Sequence, residues 1–240
     1  MNVDVNTIPV TGKSWSFLSE AYARLIADHL TPESRWLDAG SGYRLLEGRL
    51  DPLEDWLVAR CDMAVALDVT ISKHLNIPRF VCGSLYGLPF KEGSFDLVTC
   101  NMVVEHLAEP TDAIAQIARV LSPGGAFIIN TPNLWNYGIL GNAVLTKVLP
   151  ERLRLRMVRA SDQREPDDIF PVRYRANTVR RLVAQLEAGG LTVHKCLQLR
   201  QQRPFFEATA PLEKLLMKLT PGVRLLVCAH KPAEGAVRSA

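Results

Sequence analysis

The 240-residue chain is predicted to be an α/β protein: a doubly wound, mostly parallel seven-stranded sheet with helices on both faces and an inserted cap. Three observations predict this. Strand-length apolar runs alternate with amphipathic helical segments, the pattern of βαβ units. The runs are apolar at consecutive positions rather than every second one, so both faces of the sheet are covered. The first run ends in a glycine turn, "RWLDAGSG", at the place where open α/β sheets meet ligands. Right-handed crossovers then wind the sheet in both directions.

Residues 1–13 carry no periodic pattern and are expected to form a loose arm. Leu18, Tyr22, Leu25 and Ile26 follow helical spacing, and Thr31-Pro32 should end that helix. "RWLDA" reads as the first strand. Residues 45–60 carry a helical pattern interrupted by Pro52. "MAVALDV", "RFVCGS" and "SFDLVTCN" read as the second to fourth strands. "DAIAQIARVLSPGG" is an amphipathic helix with a glycine exit, and "AFIINTP" the fifth strand. From Asn133 to about Arg175 the alternation breaks, and this stretch is read as a cap inserted into one domain that spans 1–240. Alternation returns at Asn177, an expected N-cap for the helix "TVRRLVAQLEAGG". "LTVHKCLQLR", a helix "PLEKLLMKLT" and "VRLLVCAHKP" complete the sheet.

Composition narrows the function. Apolar residues make up 48%, enough for a substantial core, and the net charge of +3 argues against nucleic acid as the main partner. The five cysteines show no C-x-x-C spacing, and no H-x-x-x-H spacing occurs, so neither a disulfide framework nor a metal site is expected. The first residues lack an apolar signal core and no run is long enough to span a bilayer. A reducing, cytoplasmic setting is expected.

The turn decides the cofactor. Backbone N–H groups in such a turn approach a ligand closely. A dinucleotide site expects G-x-G-x-x-G with an acid about 20 residues on. Here Gly40-Ser41-Gly42-Tyr43-Arg44-Leu45 lacks the last glycine, and the next strand-end acid, Asp68, comes later than that. "LDAGSG", "ALDVT", "GSLYGLPFKEGSFDLVTCNMVVEHL" and "RVLSPGGAFIINTPN" instead resemble, in order and spacing, the motifs of class I S-adenosylmethionine-dependent methyltransferases. The resemblance covers about residues 35–133 and implies a Rossmann-like fold. It implies that Asp38, Ala39, Gly40, Ser41 and Gly42 hold the methionine end of S-adenosyl-L-methionine, whose product is S-adenosyl-L-homocysteine. Asp68 and Val69 would hold the ribose, Ser84 and Leu85 the adenine, and Asn101, Met102 and Val103 would face the sulfonium. Two residues depart from the family pattern: Arg44 replaces a frequent third glycine, and Ser84 stands where Asp is frequent. Read without the resemblance, Gly40 and Gly42 mark any tight turn and Asp68 is a helix N-cap.

The acceptor side is read from the cap. Methyl transfer needs alignment and exclusion of water, and a base only where the nucleophile must lose a proton. His106, beside Glu105 in "VVEHL", is either that base or a helix-start residue bonded to backbone. Asn133, Trp135, Asn136 and Tyr137 on one stem, with Arg173 and Tyr174 on the other, are expected to line the acceptor pocket; the alternative is that the aromatics pack the cap. No N-P-P-Y tetrapeptide follows the fourth strand, which argues against methylation of DNA base amines. Basic residues outnumber acidic ones from Lys147 to Arg181. That excess suits an anionic acceptor or peripheral contact with a membrane surface, or else is a solvated helix face. The expected activity is methyl transfer to an O, N, S or C atom of a small-molecule acceptor. A non-catalytic protein that kept the fold and a macromolecule methyltransferase are the competing classes.

Overall fold

Side chains at successive strand positions point to opposite faces, and in the central strands of this sheet both faces are buried. The computed structural model describes residues 5–9, 16–42, 44–46, 51–70, 76–148, 170–201, 204 and 209–233. Its strands are β1 (Val5–Pro9), β2 (Arg35–Ala39), β3 (Met63–Asp68), β4 (Arg79–Cys82), β5 (Phe95–Asn101), β6 (Leu121–Pro132), β7 (Thr192–Arg200) and β8 (Arg224–His230). Helices are α1 (Ser16–Ala27), α2 (Asp51–Val58), α3 (Pro110–Val120), α4 (Tyr137–Val148), α5 (Val179–Ala188) and α6 (Ala210–Leu219). A short 3₁₀ turn spans Val104–His106.

Trp36, Ala64, Ala66, Leu97 and Ile128 pack on one face with Tyr22 and Ile26 of α1 and Leu57 of α2. Their strand neighbours Leu37, Val65, Leu67, Val98 and Phe127 pack on the other face with Ile114 and Ile117 of α3 and Leu182 and Leu186 of α5. Full burial of a large apolar side chain stabilises by about 1.5–3 kcal/mol, so consecutive apolar positions on both faces make a strand central. Arg35 forks onto Asp96 through Nε (3.0 Å) and Nη2 (2.9 Å) and ties the starts of β2 and β5. The guanidinium holds the Asp96 carboxyl down to about 2.

The strand order is β1-β7-β8-β6-β5-β2-β3-β4. All neighbours are parallel except those of β8, which runs antiparallel to both β6 and β7. The order reverses between β2 and β5, so their C-terminal ends open a crevice there.

The seven expected strands are present, and several boundaries differ from expectation. Val5–Pro9, expected within a loose arm, is an eighth strand paired in parallel with β7, from Val5 opposite Cys196 to Pro9 opposite Arg200. Its Val, Thr and Ile are β-formers, and Pro9 is tolerated because β1 is an edge. α3 ends at Val120, not at the glycines, and Leu121 through Gly125 already belong to β6. Pro123 disfavours helical backbone at Ser122. Pro52 lies in the first turn of α2 rather than interrupting a helix, where its missing N–H costs nothing. The N-cap of α5 is Thr178, whose hydroxyl accepts from the Arg181 N–H at 3.3 Å. Asn177 is instead buried and donates to Thr131 Oγ1 (2.7 Å) and to the Pro132 carbonyl (3.0 Å). The first stem of the cap leads into α4, and the stretch 149–169, with five of the ten Lys and Arg residues from Lys147 to Arg181, lies outside the described residues. No helix among the described residues is long and apolar enough to cross a membrane.

Candidate active site

β2 delivers the chain into the turn at the crevice. Gly40 has φ +78° and Gly42 φ +53°, a backbone region costly for side-chain-bearing residues. Gly40 is required twice over: a Cβ there would lie 2.4 Å from Val103 Cγ2, whereas at Gly42 nothing lies within 4 Å. The N–H groups of Gly40 and Ser41 donate to the Leu67 carbonyl, at 2.7 and 3.0 Å. The Gly42 N–H donates to Asp68 Oδ2 at 2.9 Å. The Ser41 hydroxyl is buried at the centre of this turn with no protein partner.

Three carboxylates surround the turn. Asp38 is buried, accepts the Thr99 hydroxyl at 2.7 Å, and Thr99 in turn accepts the Trp36 indole N–H at 2.8 Å. Burial raises the Asp38 carboxyl to about 7 against the Thr99 bond, and the charges of Glu54 and Asp68 add to the rise. Glu54 on α2 is fully buried and accepts the backbone N–H groups of Leu45 and Leu46, at 3.2 and 3.1 Å. Tyr22 of α1 lies beneath, its phenol pushed well up by burial and by the Asp38 charge. An acid-lined turn of this kind favours a ligand with positive charge, which would repay the mutual repulsion of the carboxylates.

Arg44, expected where a helix begins, sits in a loop before α2, half-exposed. That loop is fastened by Glu54 from one side and by Asn101 Nδ2, which donates to the Leu45 carbonyl at 2.8 Å, from the other. Asn130 Nδ2 donates to Asn101 Oδ1 at 2.9 Å, so the Asn101 amide is a brace of the crevice wall. Met102 follows with φ 58°, held by its N–H on the Asn130 carbonyl at 2.8 Å. A non-glycine residue in this region costs about 1–2 kcal/mol, and here the strain turns Val103 over Gly40.

Asp68 ends β3 with Oδ2 on the Gly42 N–H and Oδ1 on the Thr70 N–H at 3.0 Å. Each oxygen retains a second lone pair for a hydroxyl. Val69 is exposed beside it. Beyond β4, Leu85 is buried while Ser84 is exposed and accepts the Tyr86 N–H at 3.2 Å. The Gly83 N–H donates to the Asp68 carbonyl at 2.9 Å, which brings this exit against the end of β3.

On the acceptor side, Glu105 is buried and doubly engaged. Its carbonyl accepts the N–H groups of Arg173 (2.7 Å) and Tyr174 (3.0 Å), and its carboxylate accepts the Thr131 hydroxyl at 3.0 Å. Glu105 thereby clamps the returning cap stem to the 3₁₀ turn. Tyr174 has φ 52°; its phenol is raised by burial against a bond to Asn142 of α4. His106 donates from Nδ1 to the Pro171 carbonyl at 3.3 Å, which puts the ring's lone pair on Nε2. Phe170 meets its ring edge-on at 6.2 Å.

The residues of the first cap stem are fastened elsewhere. Asn133 Nδ2 donates to Gln198 Oε1 at 3.4 Å, Asn136 Nδ2 to the Pro221 carbonyl at 3.1 Å, and Tyr137 to Glu213 Oε2 at 2.7 Å. Trp135 is 58% exposed and lines a groove of about 440 Å³ with Thr178, Arg180, Arg181 and Pro221. The structure therefore brings Asp38, Gly40, Ser41, Gly42, Asp68 and Val103 together at the crevice. The first cap stem is bonded to Gln198, Pro221 and Glu213, and the return stem to Glu105 and Asn142. Glu54, Thr99, Asn130 and Thr131 were not singled out from the sequence, and Tyr22 and Asn177 were read there only as parts of helices, not as site residues. Thr99, Asn130 and Thr131 had a signal: polar residues inside buried parallel strands, which need partners.

Comparison with known proteins agrees with this geometry. Residues 37–129 match the family described as "Methyltransferase domain". A demethylmenaquinone methyltransferase of Corynebacterium efficiens is 30% identical over 129 residues, which cover 52% of this chain and 55% of the relative. The chain spans less than two thirds of the length of the first curated relatives it matches. Among solved structures, geranyl diphosphate C-methyltransferase of Streptomyces coelicolor A3(2), in complex with S-adenosyl-L-homocysteine, is similar with TM-score 0.56, at 16% identity over 88% of this chain and 76% of that one. The [4+2]-cyclase SpnF is similar with TM-score 0.59, at 15% identity over 96% of this chain and 88% of that one. These structures share the fold. Residues 37–129, from β2 into β6 where the acid-lined turn is built, thus match a methyltransferase domain.

Proposed function

We propose that the chain transfers a methyl group from S-adenosylmethionine to an O, N, S or C atom of a small-molecule acceptor. The observation that carries this reading is the turn itself: glycines at 40 and 42, the partnerless Ser41 hydroxyl and the three carboxylates Asp38, Glu54 and Asp68, at the sheet's switch point. When bound, the donor supplies a methyl carbon on a sulfonium, a leaving group that needs no further activation. Asp38 to Gly42 hold its methionine end, where buried carboxylates favour the ammonium. Asp68 accepts the ribose hydroxyls, beside Val69. Ser84 and Leu85 flank the adenine, with Ser84 supplying one neutral hydrogen bond. Met102 and Val103 form the wall toward the sulfonium, and Asn101 braces it.

His106 is the group that takes a proton from an O–H or N–H nucleophile, because its Nδ1 bond to Pro171 leaves the lone pair on Nε2. Glu105 acts through position: it holds the cap's return at Arg173 and Tyr174 over the 3₁₀ turn. Trp135 and Tyr137, with Asn133 and Asn136, anchor the other stem. The cap excludes water and selects the acceptor. A small acceptor is supported by the names of curated relatives, demethylmenaquinone methyltransferase and, for Xanthomonas oryzae pv. oryzae, ubiquinone biosynthesis O-methyltransferase. The test pairs donor calorimetry with production of S-adenosylhomocysteine across an acceptor panel of quinols, phenols and allylic diphosphates. Donor binding with no turnover on any small acceptor would favour a non-catalytic protein or a macromolecular acceptor.

A further inference from the structure

The N-terminal edge of the sheet, opposite the glycine turn, gathers side chains that methyl transfer does not use. Cys228 and His230 lie two residues apart on β8 and so share a face. His29 reaches them from the end of α1, and His194 from β7. The pairing of β7 with β8 shifts register between Val193 and Lys195, which makes His194 the extra residue of a bulge. Bulges re-aim side chains, and this one brings the His194 ring to 4.4 Å from that of His230. A cavity of about 380 Å³ opens onto the cluster between Leu25, Asp28 and Lys195.

One ligand atom each from His29, Cys228 and His230 lie within 4.8 Å of one another. His29 Nε2 is 3.4 Å from Cys228 Sγ. Ligand atoms around a tetrahedral zinc ion, at bond lengths of about 2.0–2.3 Å, sit roughly 3.3–3.7 Å apart. His29 Nδ1 donates to the Leu25 carbonyl at 2.8 Å, which orients the ring and leaves the lone pair on Nε2, toward the sulfur. Metal-bound histidines are held by such an outer bond. The Nδ1 atom of His230 is buried with no hydrogen-bond partner. A weak S–H···N bond accounts for the Cys228–His29 contact alone; a cation accounts for all three groups.

We propose that His29, Cys228 and His230 bind a zinc-class divalent cation that fastens the end of α1 to β8. The donor set is two imidazole nitrogens and one thiolate, which selects zinc over the oxygen-seeking magnesium and calcium. Water or His194 completes the shell. The Cys228 thiol releases one proton to solvent as the metal–sulfur bond forms, the imidazoles stay neutral, and no electron is transferred.

The experiment uses the full chain stripped with a chelator and titrated with Co²⁺, read by absorption. The expected result is saturation at one Co²⁺ per chain, with a thiolate-to-cobalt charge-transfer band that Zn²⁺ abolishes, and a higher thermal midpoint in Zn²⁺. Cys228→Ser should remove the band, while Cys82→Ser, at an exposed cysteine remote from the cluster in sequence, should keep it. His29→Gln, at a half-exposed helix end, tests the site in a chain whose core is intact. It should weaken Co²⁺ binding by more than the roughly 10–100-fold typical of losing an outer-shell bond. A parent without a charge-transfer band, a band that survives Cys228→Ser, or unchanged affinity in His29→Gln would each overturn the assignment.

Discussion

The two halves of the C-terminal edge are built differently. Around β2, β3 and β5 the crevice is shaped by backbone geometry: two left-handed glycines, a strained Met102, and the carboxylates Glu54 and Asp68, which accept the backbone N–H groups of Leu45, Leu46 and Gly42. Around β6 and the cap, the same edge is assembled from long-range side-chain bonds, such as Asn177 to Thr131 to Glu105 and Tyr137 to Glu213. The difference teaches where specificity resides. A turn fixed by its own backbone suits a ligand common to a whole family, while a surface held by exchangeable side chains can be rebuilt for a new acceptor.

The largest expected effect breaks the first half. Gly40→Ala places a methyl 2.4 Å from Val103 Cγ2 at φ +78°, and donor binding in calorimetry should be abolished. Gly42→Ala meets only the backbone cost of about 1–2 kcal/mol. Equal losses in the two variants would show that Val103 does not shape the turn. Next comes the second half. Tyr174→Ala should cut turnover strongly and leave donor affinity within about twofold, since its partners Asn142 and Glu105 lie on the cap side. A parallel fall of both values would move the cap into the donor site.

A pH series sharpens the boundary. The folded pKa of Asp38, about 7, stands above its ordinary value of 3.8. The native state therefore holds the proton more tightly than the unfolded state between those values. The stability Asp38 contributes is complete below pH 3.8 and is lost as pH rises through 7. Donor affinity should run the other way, rising from pH 6 to 8 as the carboxylate ionises to meet the ammonium. Asp38→Asn should flatten both profiles; a donor affinity independent of pH in the parent would separate Asp38 from the donor. The smallest effect is expected from Arg44→Gly, less than about tenfold in donor affinity, because Glu54 and Asn101 hold the loop and backbone groups do the binding. Complete loss of binding would make the guanidinium a ligand.

The same contrast explains what could be read in advance. "LDAGSG" and "ALDV" carry their structure locally, through strand periodicity and glycine, so β2, β3 and the turn were legible. The arm was not, because β1 exists only through pairing with a strand far along the chain. Glu54 was invisible for a similar reason: it is a buried carboxylate on a short helix whose partners, the Leu45 and Leu46 N–H groups, form only once α2 folds back. Asn133, Asn136 and Tyr137 drew attention as polar and aromatic residues at a strand exit, but sequence spacing carries no sign of Gln198, Pro221 and Glu213, to which they are bound.

The central claim is that the acid-lined turn binds the methyl donor, and Asp68 tests it most directly because its two oxygens link the glycine turn to the expected ribose. Calorimetry of S-adenosylhomocysteine with the parent and with Asp68→Ala, at pH 8, should show a loss of about 1–3 kcal/mol, a factor of roughly 5 to 150. Equal affinity in the two proteins would contradict the account.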